Sequence, residues 1–430
     1  MADGDRAFAA RMAAADLVVG VTGSALQLSD LLQRPGFLAL GPADRARAQR
    51  LAMATLRQIG PADAMLRPHL RREPPPLVRA VLRVATVEML SGGAPPHGVV
   101  GAAVAGLRAR GRTIEGFAGL ANAVLRKVAA TDPAVWAALA PQELPGWLRG
   151  RLMSAWGKAT VQAIERAHAA GAPIDLTARD GDAGRLAAAV GGVALPTGSV
   201  RLPEGAQVSG LPGYDEGAFW VQDAAAALAA RLLAVRPGER VLDLCAAPGG
   251  KSLQLAAAGA AVTALDISEA RLARLRENLA RCRLAADIVV ADALHWRPQT
   301  LFDAILLDAP CSATGTIRRH PDLPFLRSRD DLRPLVALQS DLIDRAATLL
   351  KPGGRLVVCT CSLLPEEGER QVSAALARLP GLRPDPAARD LPGVETGWHA
   401  GESGLRTRPD LWPDRGGMDG FHMAALRLGD

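Results

Sequence analysis

Aromatic residues, cysteines and long apolar runs are all scarce in this chain of 430 residues. Phe, Trp and Tyr together make up 3% of it, and no apolar run reaches the length that a membrane span needs. Five cysteines, an odd number in so long a chain, argue against a disulfide framework and for reduced thiols. The start, MADGDRAFAARM, lacks the charged-then-apolar order of a signal peptide. We therefore expect a cytoplasmic protein without a membrane partner.

Patterns that bind metal are missing as well. Cys359 and Cys361 form a C-x-C without a second cysteine pair, and the chain has only seven histidines, so we predict no metal site. The net charge of +6, carried mainly by arginine, favours an anionic partner and bidentate contacts with phosphate groups. With 49% hydrophobic and 22% charged residues, the composition is that of a globular protein.

Three segments with different patterns follow one another, which indicates a multidomain protein. Residues 1–133 carry apolar residues at helical spacing, as in ARAQRLAMATLRQI, PPLVRAVLRVATVEML and IEGFAGLANAVLRKVAA, and predict an all-α domain. Residues 134–220 predict a small α/β module, with helices around 143–170 and short strands in PIDLTARD, VALPTGSVRL and AQVSG. In residues 221–430, apolar strands (ERVLDL, AVTALD, DIVVAD, FDAILLD, RLVVCT) alternate with helices. This alternation predicts a doubly wound, Rossmann-like α/β domain with a mostly parallel sheet.

Reactive or polar residues end these strands, and ligands bind at this edge of such sheets. The first strand runs into a glycine loop that opens a helix, where backbone N–H groups are available to an anion. This loop comprises Cys245, Ala246, Ala247, Pro248, Gly249, Gly250 and Lys251. The second strand ends at Asp266, placed to accept hydrogen bonds from two ribose hydroxyls, and the third ends at Asp292, placed near an adenine edge. The predicted ligand is an adenosine derivative.

The loop has neither the G-x-G-x-x-G fingerprint of dinucleotide-binding proteins nor the G-x-x-x-x-G-K-[ST] phosphate loop. S-adenosylmethionine fits better, because its carboxylate can use the loop N–H groups. Its sulfonium would then lie near Asp308, which ends the fourth strand. S-adenosylmethionine is therefore the predicted cofactor.

Two thiols, Cys311 and Cys361, follow the fourth and fifth strands beside the predicted methyl donor. Carbon 5 of a pyrimidine attacks a sulfonium only after a thiolate has added to carbon 6. The reaction also needs an acid at N3 of cytosine and a base for the carbon-5 proton, tasks for which Asp308 and Cys311 are placed. The strand ends alone leave the two thiols equivalent. Cys359 and Cys282 are expected to pack as small hydrophobes.

Several segments resemble, in their order, the signature segments of the Sun-type RNA 5-methylcytosine methyltransferases. They are GAFWVQDAAA, DLCAAPGGKS, ALDISEARLARLRENLAR, FDAILLDAPCSATGTIRRHPDL and LKPGGRLVVCTCSLLPEEGE, which span about residues 217–370. DGFHMAALRL is similar to the family's closing strand, and GLANAVLRKVA resembles the NusB-type RNA-binding domain of one bacterial branch. In that branch the substrate is a cytosine of 16S ribosomal RNA.

The resemblance implies cofactor contacts at Cys245 to Lys251, Asp266, Asp292 and Asp308. It also implies a nucleophile at Cys361 and a thiol that assists product release at Cys311. The implied partner is 16S ribosomal RNA, naked or in an assembling small subunit. Alternatives are the same chemistry on transfer RNA, attack by Cys311 in place of Cys361, and a non-catalytic RNA-binding or antitermination factor.

Three positions depart from the family's pattern: Leu323-Pro324-Phe325 replaces a Lys-Trp pair, Gly368 replaces Asn, and LTARD replaces an Arg-Val-Asn strand. His320, in RRHPD, either contacts RNA or ends a loop. Trp220 and Phe325 are expected to be available for stacking on bases.

Overall fold

A computed structural model describes residues 3–429, whose contacts divide the chain into two compact units. The helical unit contains the chain up to Gly150 together with Val161–Gly171 and Ile317–Arg327. The α/β unit contains Arg151–Thr160, Ala172–Thr316 and the chain from Ser328 onwards. The division into three segments stays a prediction. Residues 1 and 2, which belong to the stretch used to predict the absence of a signal peptide, lie outside the described residues.

Helices make up the chain before the first strand, as predicted. Several have proline in their first turn, where the N–H that proline lacks would be unpaired anyway. They are α1 Asp3–Ser24, α2 Leu28–Leu31, α3 Pro35–Leu38, α4 Pro42–Leu56, α5 Ile59–Leu66, α6 Pro76–Leu90, α7 Pro96–Arg108, α8 Arg112–Glu115, α9 Ala118–Ala129, α10 Pro133–Ala137, α11 Gly146–Trp156 and α12 Lys158–Ala170. Among the described residues, none of these helices has the length and apolar character needed to cross a membrane.

The core of the helical unit is formed by apolar stripes at helical spacing, such as Ala121, Val124 and Val128 of α9. The separate segment Ile317–Arg327 belongs to this core, because Phe325 packs against it. Phe325 is therefore half-buried, and its availability for base stacking stays a prediction.

The module between the helices and the large sheet is a four-stranded antiparallel sheet in the order β2-β3-β1-β4. Its elements are β1 Asp175–Ala178, α13 Ala183–Val190, β2 Val193–Ala194, β3 Val200–Arg201 and β4 Phe219–Val221. AQVSG, predicted as a strand, contains a 3₁₀ turn over Val208–Gly210. Local hydrogen bonds from Gly210 N to Gln207 O and from Leu211 N to Val208 O satisfy the backbone there instead of a neighbouring strand.

Trp220 of β4 is 2% exposed, and its Nε1 donates to Gln222 Oε1 at 2.8 Å. The prediction that Trp220 is available for base stacking is therefore wrong. Its position on a short, apolar strand places it inside the α/β unit.

The large sheet has nine strands in the order β11-β12-β13-β9-β8-β5-β6-β7, with β10 paired to β13. Its elements are α14 Ala224–Leu233, β5 Arg240–Leu244, α15 Gly250–Ala257, β6 Ala261–Asp266, α16 Glu269–Cys282, β7 Asp287–Val290 and β8 Phe302–Asp308. They continue with α17 Leu323–Leu326 (in the helical unit), α18 Leu332–Thr348, β9 Leu350–Thr360, α19 Glu369–Arg378, β10 Leu382–Pro384, β11 His399–Ala400, β12 Gly404–Thr407 and β13 Phe421–Leu428.

The sheet is mixed rather than mostly parallel, which corrects the prediction. Strands β5 to β9 are mutually parallel, whereas the pairings of β10 to β13 are all antiparallel. Antiparallel neighbours need no crossover helix, and the chain after α19 supplies none within the described residues. Residues 351–354 lie inside β9, where Gly353 has a φ of 71°.

A buried ion pair ties the module to the rest of the α/β unit. Asp175 is fully buried, and both of its carboxylate oxygens accept from Arg201, at 2.7 and 2.8 Å. Asp175 also accepts from Ala224 N at the start of α14, and Arg201 donates to Gly417 O at 2.8 Å. Removing one partner would leave the other charge buried and unpaired.

We expect Asp175→Ala to lower the free energy of unfolding of the α/β unit by about 3–5 kcal/mol. Urea unfolding followed by circular dichroism would measure the shift. Asp344→Ala is the matched control, since Asp344 pairs with Arg378 in a pair that is about one third exposed and should cost at most about 1 kcal/mol. Equal losses in the two variants would contradict the role of the buried pair.

Candidate active site

The carboxyl ends of β5, β6, β8 and β9 lie at one edge of the sheet because these strands are parallel neighbours. This edge carries the predicted glycine loop after β5, Asp266 at the end of β6, Asp308 at the end of β8 and Cys361 directly after β9. The structure therefore brings together the strand-end residues that the sequence pattern singled out.

The loop between β5 and α15 has a conformation that restricts its residues. Cys245 has a φ of 62° and Gly249 a φ of 104°, which favours glycine at position 249. A Cβ atom at Gly249 would also lie 2.2 Å from Leu275 Cδ1. Glycine thus lets the loop lie close against α16 while α15 begins with free N–H groups.

Asp266, at the end of β6, is 2% exposed and hydrogen-bonds to the backbone of this loop. Its Oδ2 accepts from Ala247 N at 3.1 Å, and its Oδ1 accepts from Ser268 N at 2.9 Å. Each carboxylate oxygen keeps a second lone pair with which a ligand hydroxyl can bond. Asp292, by contrast, is 43% exposed beyond the end of β7, where its Oδ1 accepts from Leu294 N.

Asp243, in β5, is a buried carboxyl bonded to the start of α15 that the sequence reasoning did not single out. It is fully buried; Oδ2 accepts from Ser252 Oγ at 2.5 Å, and Oδ1 has no partner in the described structure. Burial raises the pKa of the Asp243 carboxyl to about 7, against the lowering effects of Ser252 and Lys251. A buried acceptor without a donor at a ligand-binding edge is suited to a cationic or N–H group of the ligand.

The raised pKa gives Asp243 a defined effect on stability. Because the folded-state pKa lies above the usual value of 3.8, the charged carboxylate destabilises the fold increasingly from about pH 4 to about pH 7, by roughly 4 kcal/mol in total, and by a constant amount above that. We expect Asp243→Asn to gain stability relative to the unmodified protein over this interval. Thermal unfolding midpoints measured at several pH values would show it.

Asp303→Asn serves as the control with the opposite sign. The hydrogen bond from Lys351 lowers the pKa of the Asp303 carboxyl, so this variant should lose stability relative to the unmodified protein as the pH rises towards about 4 and should change little between about pH 4 and pH 7. Parallel curves for the two variants would contradict the assignment at Asp243.

The side chain of Lys251 points towards Asp308 at the end of β8 rather than towards the backbone of its own loop. Its Nζ lies 2.6 Å from Asp308 Oδ2 and 5.2 Å from the centre of the Phe421 ring. Burial opposes the charge of Lys251, but Asp308, Cys359 and Asp243 together outweigh it and raise the pKa of the ammonium. The pair therefore presents a fixed donor and acceptor beside the end of β8.

The two thiols meet as predicted: Cys311 Sγ and Cys361 Sγ are 3.4 Å apart, and both residues are half-buried. The hydrogen bond with Cys361, burial, and the nearby charges of Cys361 and Glu367 raise the pKa of the Cys311 thiol well above its usual value. Two sulfur atoms this close do not both ionise readily. The arrangement favours Cys311 as the protonated member of the pair.

The remaining cysteines are held away from this role. Cys359 and Cys282 are fully buried, which fits packing, although the Cys359 thiol also donates to Asp308 Oδ1 at 3.5 Å. Burial raises the pKa of the Cys245 thiol to about 12. His320 is exposed in the segment Ile317–Arg327 of the helical unit, where its carbonyl accepts from Leu323 N.

A buried carboxylate, Glu367, joins the two thiol-bearing segments. Its Oε1 accepts from Ser312 N at 2.9 Å, and its Oε2 accepts from the hydroxyl of Ser362 at 2.6 Å and from that of Ser312. Gln339 donates to Glu367 at 3.0 Å and to Pro310 O at 2.9 Å. Ser312 and Ser362 directly follow Cys311 and Cys361. The hydrogen bonds to Glu367 therefore hold in place the residues next to both thiols.

The backbone around the thiols leaves no room for side chains. A Cβ at Gly315 would lie 1.8 Å from Gly420 O, and Gly315 N donates to Cys361 O at 2.9 Å. A Cβ at Gly368 would lie 2.6 Å from Arg406 Nη2. This close approach accounts for glycine at 368, where the resembling family has asparagine.

We expect Glu367→Ala to lower kcat by about a hundredfold, because displacing a reacting group by about 1 Å costs that much. Glu367→Gln keeps one acceptor oxygen and should recover part of the loss. Binding of S-adenosylmethionine, measured by calorimetry, should stay unchanged in both variants. A parallel loss of cofactor affinity and kcat, or no difference between Ala and Gln, would instead indicate general unfolding of the site.

Comparisons with known proteins agree with this geometry. A family model described as 16S rRNA methyltransferase RsmB/F matches residues 230–427, and the NusB family matches residues 9–130. Ribosomal RNA small subunit methyltransferase B of Klebsiella pneumoniae is 37% identical over 90% of this chain and 95% of its own length. The protein of that name from Sodalis glossinidius is 38% identical over 86% of this chain and 89% of its own.

Solved structures show the same fold. PH0851 superposes over 99% of both chains with a TM-score of 0.74 at 24% identity. A methyltransferase homologue from Pyrococcus horikoshii covers 65% of this chain and 93% of its own, with a TM-score of 0.53 and 28% identity. The α/β unit thus has a Rossmann-like methyltransferase fold. The chain belongs to the RsmB/F family of 16S rRNA methyltransferases.

The comparisons and geometry also bear on the other predictions. Membership of this family makes the chain a methyltransferase with a NusB-like helical region. Among the described residues, no cluster of His, Cys, Asp or Glu has an arrangement that could hold a metal ion.

Proposed function

We propose that this protein transfers a methyl group from S-adenosylmethionine to carbon 5 of a cytidine in 16S ribosomal RNA, with Cys361 as the attacking thiolate. The observation that carries the proposal is the pair of sulfur atoms 3.4 Å apart beside the Lys251–Asp308 pair. An isolated thiol would serve addition alone, whereas two neighbouring thiols serve addition and release.

The residues at the strand ends fit an adenosine-derived cofactor. Asp266 has free lone pairs for ribose hydroxyls, the N–H groups at the start of α15 suit a carboxylate, and Asp243 Oδ1 is a buried acceptor in need of an N–H donor. When bound, S-adenosylmethionine supplies an activated methyl group that becomes the substituent at carbon 5. Asp292 and the loop residues Cys245 to Lys251 complete the proposed binding site.

The chemistry of the RNA base is assigned to two thiols and one ion pair. The thiolate of Cys361 adds to carbon 6, and the electron pair released into the ring makes carbon 5 nucleophilic. The Lys251–Asp308 pair supplies the proton that N3 needs: the Lys251 ammonium passes a proton through the Asp308 carboxyl to N3, which neutralises the negative charge that develops on the ring. Once Cys361 is bonded to carbon 6, Cys311 gives its proton to water. After methylation the Cys311 thiolate takes the carbon-5 proton, and the electron pair of that bond forms the carbon 5–carbon 6 double bond. The carbon 6–sulfur bond breaks with Cys361 leaving as a thiolate, and N3 returns its proton to Asp308.

The RNA substrate is inferred from the relatives and from charge. The matching curated proteins are named as methyltransferases of the small-subunit ribosomal RNA. The net charge of +6 agrees with an anionic partner, and the NusB-like helical region is proposed to bind RNA backbone. Because half-buried thiols cannot reach a stacked base, the target cytosine must be unstacked or lie in an open loop.

Thiol variants test the assignment. With unmodified 16S transcript and labelled S-adenosylmethionine, we expect Cys361→Ala to lose methyl transfer and to form no protein–RNA adduct on a denaturing gel. Cys311→Ala should slow turnover by about 10²–10⁴-fold and accumulate the adduct. Cys282→Ala, which removes a buried thiol of α16, is the matched control and should behave as the unmodified protein.

Two results would contradict the proposal in different ways. An adduct that persists in Cys361→Ala and disappears in Cys311→Ala would exchange the roles of the thiols. Failure of the unmodified protein to methylate 16S or transfer RNA would favour a non-catalytic RNA-binding factor. Bisulfite sequencing of the product tests whether carbon 5 of cytidine is the site.

A further inference from the structure

A cavity of about 520 Å³ in the α/β unit lies apart from the cofactor loop and from both thiols. It is lined by the side chains of Arg151, Trp156, Glu366, Arg370, Arg406 and Arg408, among others. Its size suits a ligand group of one nucleotide, within the usual range of about 300–1,000 Å³ for small-ligand sites. None of these residues takes part in the chemistry proposed above.

Strand register places the cavity at the active edge of the sheet. Arg406 of β12 pairs with His422 of β13, and His422 pairs with Thr360 of β9, the residue before Cys361. Two strand spacings, about 10 Å, therefore separate Arg406 from the end of the nucleophile strand. A strand of RNA with its target base at Cys361 would have a neighbouring nucleotide within reach of the cavity.

The wall of the cavity is bonded to the segment that follows the nucleophile. Trp156 Nε1 donates to Leu363 O at 3.0 Å, and the buried guanidinium of Arg406 donates to Ser362 O. The guanidinium carbons of Arg406 and Arg408 lie 5.4 and 5.6 Å from the centre of the Trp156 ring. These contacts hold the planes of the two guanidinium groups in place before a ligand arrives.

The charge of the lining is positive. Four arginines face two carboxylates, Glu366 and Glu369, and these engage Arg151 at 2.7 Å and Arg406 at 2.7 Å respectively. Arg370 is 70% exposed and has a single long contact, 3.6 Å to Glu366. Arg408 donates through Nε and Nη2 to Asp410, at 2.9 and 3.0 Å, and its Nη1 has no hydrogen-bond partner among the described residues; Asp410 is not part of the lining. Arg370 and Arg408 are thus the donors best placed for an added anion.

We propose that this cavity binds the phosphodiester group of the nucleotide next to the target cytosine in the RNA strand. The inference rests on the proposed function, since it assigns a second contact for the same substrate. Arg370 and Arg408 donate to the phosphate oxygens, and Trp156 with Arg406 links the occupied cavity to the Ser362–Leu363 backbone. The contact binds the substrate rather than stabilising the reaction, so its loss weakens RNA binding.

The double variant Arg370→Gln/Arg408→Gln tests this proposal. With unmodified 16S transcript, we expect KM for RNA to rise about tenfold, while kcat stays within about twofold of the unmodified protein. The slope of log KM against log salt should become shallower by about 0.7, the contribution of one single-strand phosphate contact. Filter retention of the same transcript gives the RNA affinity independently of catalysis.

Arg378→Gln is the matched control, because Arg378 lies in the last turn of the same helix, α19, and pairs with Asp344 at 2.7 Å. It should change neither KM nor the salt slope. RNA affinity and salt slope equal to those of the unmodified protein in the double variant would overturn the proposal, as would a fall in kcat alone. If the unmodified protein transfers no methyl group, the proposed function fails, while the filter-retention measurements still decide whether the cavity binds RNA.

Discussion

The parallel pairing of β8 with β9 is the constraint on which the site depends. Asp308 pairs with Cys359, and Ala309 N donates to Cys359 O at 3.0 Å, so the two strands end in a fixed register. The segment that directly follows each of these strands carries one thiol. A slip of one residue would turn Cys359 and Cys361 to the opposite face. The register of β8 and β9 therefore sets the distance between the two thiols, and the loops adjust this distance only slightly.

Near the carboxyl ends of the parallel strands, the protein buries two carboxyl groups, which an apolar core would avoid. Glu367 is 1% exposed and is satisfied by donors from three segments, whereas Asp243 leaves one oxygen without a donor. The first arrangement gives rigidity, because a fully bonded buried carboxylate has one good geometry. The second leaves an unsatisfied acceptor, which costs stability.

The sequence pattern predicted the helical region, the order of apolar strands and the residues at their ends, because helical periodicity and strand-end position are local properties. It did not predict Glu367 or Asp243, since their roles come from partners far along the chain, such as Ser312 for Glu367. Trp220 was misjudged for the same reason: exposure depends on tertiary packing. In the antiparallel half of the sheet, the resemblance of DGFHMAALRL indicated the closing strand β13, whereas the short strands β10 and β11 were missed because they carry weak alternation.

The segment Ile317–Arg327 follows the Cys311 segment in sequence but belongs to the helical unit, where Asp322 accepts from Leu28 N at 3.0 Å. The chain consequently enters the helical unit again after most of the parallel sheet has been made. If the chain were divided after the N-terminal helices, this segment would lose the helices that pack against it, and Phe325 would be exposed to water. Shortened versions of this protein that keep only the catalytic half should for this reason be prone to aggregate, and a transplanted helical half would lack a piece of its own core.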